Sequence, residues 1–130
     1  MLEDKKRWRL RRDLKKGKFC FLIGIDNWSI ELQKSEFESL YLLLSKINAQ
    51  LLGIKNELMA EESITLVLEQ LPWFIELEGK KNEWSLRFVF ESQDQTRSFE
   101  MYWPIPIAQN LFYEITVSYT HLTLPTICSV

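Results

Sequence analysis

Apolar and polar residues alternate with a period of two along most of the chain and switch to a helical period in one stretch. Trp8 and Leu10 alternate with Arg7, Arg9 and Arg11, which predicts a first strand. Phe19, Phe21, Ile23 and Ile25 share one face of a second strand. Its other face, Cys20, Leu22 and Gly24, is also apolar or small, so this strand is predicted to be covered on both sides. Asp26-Asn27 turns the chain, and Trp28, Ile30 and Leu32 form a third strand. Ser35-Glu36-Phe37-Glu38 then reads as a capping box. Phe37, Leu40, Tyr41, Leu44, Ile47 and Leu51 follow at helical spacing, predicting a helix over residues 35–52 that Gly53 stops.

A second group of strands follows. Ile64, Leu66 and Leu68 alternate with Thr65, Val67 and Glu69, and Trp73, Ile75 and Leu77 with Phe74, Glu76 and Glu78. Residues 79–82, Gly-Lys-Lys-Asn, read as a hairpin turn. Trp84, Leu86, Phe88 and Phe90 mark the next strand, and Phe99, Met101 and Trp103 the last. Pro104 and Pro106 end it, and a helix begins at residue 107. The order βββα-ββββα predicts an α+β fold of antiparallel sheet segments, each followed by a helix.

The end of the chain reads differently. Residues 117–126, VSYTHLTLPT, back-translate to a transposase sequencing adaptor in frame. The rest fits the adaptor's variable index and its stop. Residues 117–130 are therefore expected to be an artefactual tail on a single domain of residues 1–116 whose C-terminal helix is truncated. His121, the sole His, and Cys128 fall in that tail, which leaves Cys20 as a lone core thiol. A domain without His offers no His-based triad and no His/Cys zinc site, and its four glycines are scattered rather than gathered in a phosphate loop. No enzyme activity, metal or cofactor is expected. No apolar run reaches the ~20 residues of a membrane span, and no apolar signal core follows the charged start. A soluble, cytoplasmic protein is expected.

The sharpest chemical feature is charge asymmetry. Residues 1–18 hold nine Lys and Arg against three acids, and residues 19–130 hold seven against fifteen. Arg7, Arg9 and Arg11 fall on one strand face, with Arg12, Lys15, Lys16 and Lys18 around the next turn. Such a row suits a phosphate backbone, and Trp8 between the arginines suits base stacking. These eight residues are the candidate site for single-stranded DNA or RNA. The bland reading is an edge strand whose charges block aggregation, with Trp8 in the core. Glu76, Glu78, Glu91 and Glu100 lie on the polar faces of the second strand group, against Arg87. That acidic face suits a protein-interaction module, or a dimer, in which the basic strand meets an acidic surface.

WRL at 8–10, DNWSIEL at 26–32, ELMAEESI at 57–64, ELEG at 76–79, WSLR at 84–87 and Trp103 resemble a small cyanobacterial family, domain of unknown function 1818. The resemblance covers about residues 6–110. It implies a fold similar to the single-stranded-DNA-binding transcriptional regulators of the coactivator and Whirly group. In those regulators the C-terminal helix supports dimerisation, so a homodimer is expected of the intact natural protein. The family has no established activity, and no site residue carries over.

Overall fold

The computed structural model describes residues 7–121, except residues 14 and 16. Three strands, β1 (Trp8–Arg12), β2 (Phe21–Ile25) and β3 (Trp28–Leu32), form an antiparallel sheet in that order. Helix α1 (Lys34–Ile54) and a short 3-10 turn (Lys55–Glu57) lead into four more strands. These are β4 (Ser63–Gln70), β5 (Trp73–Lys80), β6 (Glu83–Glu91) and β7 (Ser98–Trp103), a second antiparallel sheet in chain order. Helix α2 (Ile107–His121) follows. The fold is α+β in βββα-ββββα order. Among the described residues, no helix is long and apolar enough to cross a membrane.

The alternation decides which face each strand buries. Trp73, Ile75 and Leu77 on β5 and Trp84, Leu86, Phe88 and Phe90 on β6 are buried, and their neighbours in sequence point the other way. α1 lays Phe37, Leu40, Leu44 and Ile47 toward this core, against β4 and β5, while α2 packs on β6 and reaches β1. Each fully buried side chain of this size is worth about 1.5–3 kcal/mol. Phe21 stacks on Phe37 with ring centroids 4.1 Å apart, joining the first sheet to α1. The Trp73 indole N–H donates to the Glu36 carbonyl at 2.9 Å, so its one polar group is satisfied inside the core.

Several boundaries differ from the expectation. α1 starts at Lys34, and the reciprocal cap is made two residues early: Glu36, not Glu38, accepts the Gln33 backbone N–H, at 2.9 Å. Glu36 is held there by a distant partner, Arg97, which local spacing does not show. Gly53 does not stop the helix, which runs on to Ile54 and tightens into the 3-10 turn. The β5–β6 loop is only Lys81-Asn82, and Gly79 lies within β5 at φ 154°. A Cβ there would collide with the Glu83 carbonyl and the Trp84 backbone, so glycine is required. α2 continues to His121, into the segment read as an adaptor, since neither Gly nor Pro interrupts it. The remainder of that segment lies outside the described residues. Cys20 is buried, but disulfide-bonded rather than the free thiol expected.

Candidate interaction surfaces

β1 does not present its cations as one row. Trp8 sits opposite Ile25 and is 2% exposed, because its parity turns it into the core. It is therefore withdrawn from any base, which corrects its assignment to the candidate site. Arg7 grips Asp26 with both arms, Nε to Oδ1 at 2.7 Å and Nη2 to Oδ2 at 2.8 Å. The Asp26 backbone N–H donates back to the Arg7 carbonyl at 2.8 Å. These bonds hold Arg7 and Asp26 at φ 68° and 53°, in the left-handed region that non-glycine residues seldom adopt. The Arg7 hydrogen bond lowers the Asp26 pKa below its ordinary value, and Asp26 raises that of Arg7.

Arg9 is engaged as well. It lies opposite Gly24, and its guanidinium crosses that glycine to donate to the Asp26 carbonyl at 2.9 Å and the Trp28 carbonyl at 2.8 Å. A Cβ on Gly24 would run into this guanidinium. At Gly24 the second face of β2 is thus covered by a charged side chain. Arg11, Arg12, Lys15 and Lys18 are exposed and meet no carboxylate among the described residues. Lys16 lies outside the described residues. The structure thus splits the candidate set into a locked pair, Arg7 and Arg9, and a cluster of cations at the β1–β2 turn that meet no carboxylate among the described residues.

The four-stranded sheet leaves one face uncovered by the helices. On it lie Glu69, Glu76, Glu78, Glu83, Glu91 and Glu100, against Lys80 and Arg87. Arg87 meets Glu76 at 2.9 Å and Glu100 at 3.8 Å, and Lys80 meets Glu61 at 3.0 Å. Glu69, Glu78 and Glu91 have no cation among the described residues. Apolar side chains interrupt this acidic face. Phe74 and Val89 are cross-strand neighbours, and with Leu71 they line a hollow of about 390 Å³ rimmed by Glu69 and Glu91. Leu71 is 67% exposed. The signal for this hollow was in the alternation, where Phe74 and Val89 occupy polar parity.

A third feature was not legible. The Arg97 guanidinium lies between the rings of Phe19 and Phe90, 4.9 and 5.2 Å from their centroids. It donates to Glu36 Oε2 at 2.7 Å and to the Glu31 carbonyl at 2.8 Å. The β6–β7 turn before it is fixed by Asp94, which accepts from both the Thr96 hydroxyl at 2.7 Å and the Ser92 hydroxyl at 2.8 Å. Those hydrogen bonds lower the Asp94 pKa from 3.8 to about 2. A cleft of about 380 Å³ runs beside this cluster, lined by Lys18, Ser35, Ser39, Ser92 and Gln93 among others. Arg97 is fully engaged, so it closes the fold here and offers the cleft no free charge.

A family model, described as a domain of unknown function (DUF1818), matches residues 3–117. The chain is similar to a crystal structure of a protein with unknown function, titled as from the DUF155 family, from Prochlorococcus sp. NATL2A. The two share 34% sequence identity with a TM-score of 0.79, over 88% of this chain and 94% of that one. No curated protein matches.

Proposed function

The chain belongs to the DUF1818 family, and from that premise we propose that the domain is a protein-interaction module that pairs with a second copy of itself. One observation carries this reading: two separate patches of opposite sign hold charges that meet no ion-pair partner among the described residues. Arg11, Arg12, Lys15 and Lys18 cluster at the β1–β2 turn, while Glu69 and Glu91 rim an apolar hollow on the other sheet. Opposed patches of this kind steer and orient association. An apolar centre with a charged rim is the usual anatomy of such a contact. The basic turn of one copy faces the acidic hollow of the other, and reciprocity closes the pair as a two-fold dimer.

Single-stranded nucleic acid is the second reading, favoured by the same four unpaired cations. It is supported less well, because Trp8 is buried and Arg7 and Arg9 are engaged. The exposed aromatic Tyr102 also shares its sheet face with carboxylates that repel phosphate. Sedimentation equilibrium at low and high salt, with a parallel anisotropy titration of a labelled single-stranded oligonucleotide, separates the two. We expect a dimer that weakens as salt rises and that Arg11→Glu/Arg12→Glu weakens about tenfold or more, with no retention of the oligonucleotide. A monomer that binds the oligonucleotide with a log-log salt slope of about −0.7 per phosphate engaged would reverse the ranking.

A further inference from the structure

The free edges β3 and β7 of the two sheets share no hydrogen-bonded ladder, and a seam lined by side chains of both lies between them. At one end the seam is bridged, where Arg97 at the foot of β7 donates to the Glu31 carbonyl of β3. Toward the other end it opens into a groove of about 410 Å³. Trp28 and Ile30 form one wall, Met101, Tyr102 and Pro104 the other, and Ser29 and Glu100 line it as well. Trp28 is half-buried and Tyr102 is 54% exposed, so aromatic surface is presented from both sides. Asp26 also lines the groove, but its charge is held by Arg7. The Glu100 carboxylate is 69% exposed and has only a long contact to Arg87, 3.8 Å.

We propose that this groove docks an extended segment of a partner polypeptide carrying lysine or arginine between apolar residues. Strand edges on both walls suit an extended backbone, which adds to a sheet edge through its main chain and gains specificity from alternate side chains. A cation over the exposed Tyr102 ring gains from its face, and Glu100 supplies the opposite charge. The apolar residues that alternate with the cation cover Ile30 and Pro104. Phosphate-bearing chains are disfavoured by that same carboxylate. The site goes beyond the dimer proposed above, since it uses the seam between the sheets and neither the basic turn nor the Leu71 hollow.

The test is fluorescence anisotropy with a labelled, end-blocked peptide of alternating valine and lysine, against a control with glutamate in place of lysine. We expect the lysine peptide to bind and the glutamate peptide to fail. Tyr102→Ala and Ser29→Arg should each weaken binding about tenfold, the scale of a lost cation–π contact or a new like charge in a groove. Ser29→Glu, at the same exposed position, should bind at least as tightly as wild type, which separates charge from misfolding. Glu69→Lys/Glu91→Lys should leave peptide binding unchanged. Equal binding of the two peptides, equal weakening by Ser29→Arg and Ser29→Glu, or displacement of the peptide by a single-stranded oligonucleotide would overturn the proposal. A monomer that still binds the peptide would remove the dimer and keep the groove, and a dimer indifferent to the peptide would do the reverse.

Discussion

In the three-stranded sheet, Arg7 and Arg9 turn back onto their own chain. They close on Asp26 and on the carbonyls of Asp26 and Trp28, across a glycine that leaves them room. In the four-stranded sheet, Glu69, Glu78 and Glu91 point outward with no cation among the described residues to meet them. A charge counted in a sequence is therefore not a charge offered to a partner. Exposed ion pairs add little to stability, but they remove charge from the surface that a partner meets. What remains at the β1–β2 turn and around the Leu71 hollow is charge with no ion-pair partner among the described residues.

The two sheets also differ in what their glycines do, and this gives the largest expected effect. Gly79→Ala puts a Cβ against the backbone of Glu83 and Trp84 at φ 154°, which nothing flexible can relieve. We expect a loss of about 3 kcal/mol, at the upper end of ordinary substitutions, measured by urea denaturation. Gly24→Ala meets the Arg9 guanidinium first and should cost about 1 kcal/mol as its charged hydrogen bonds are displaced. If that displacement is the mechanism, Gly24→Ala/Arg9→Ala should be no worse than Arg9→Ala alone. Additive losses would show that Arg9 does not lock this sheet.

Arg97 sharpens the comparison, because it is an engaged cation at the start of the acidic sheet. Arg97→Ala leaves the mostly buried Glu36 carboxylate without its ion pair and removes a cation from between two rings. We expect a loss of about 2 kcal/mol in the same assay. A negligible loss would mean that Glu36 is served by the Gln33 N–H alone.

Acid should act on the turns of both sheets in the same direction. Asp94 and Asp26 have folded-state pKa values below their ordinary 3.8. Their contributions are complete above that value and are lost as pH falls, through about 2 for Asp94. Stability curves of wild type and Asp94→Asn should therefore be separated at neutral pH and converge toward pH 2. A constant separation would show that the Asp94 charge is not what holds the β6–β7 turn.

The alternation that predicts each strand survives in the register. Trp73, Ile75 and Leu77 and then Trp84, Leu86 and Phe88 are buried where they were expected, because a period of two maps directly onto the two faces of a strand. The helix was legible from Phe37 to Leu51 for the same reason, with a different period. The exact cap was not. Glu36 rather than Glu38 is chosen by Arg97, 61 residues away, and no local pattern carries that pairing. The fate of the basic residues was also hidden. Parity alone puts Arg7, Arg9 and Arg11 on one face, but only the β2–β3 turn beside them shows that two of the three are taken.

In the proposed dimer the basic turn meets the acidic hollow, and charge reversal on both sides tests this most directly. Sedimentation equilibrium at low salt should show dimer for wild type. Arg11→Glu/Arg12→Glu and Glu69→Lys/Glu91→Lys should each weaken association about tenfold or more, as like charges come to face each other. Combined in one chain, the four reversals restore complementarity, and dimer should return. A wild type that stays monomeric at every concentration, or a combined variant no better than its parents, would contradict the account.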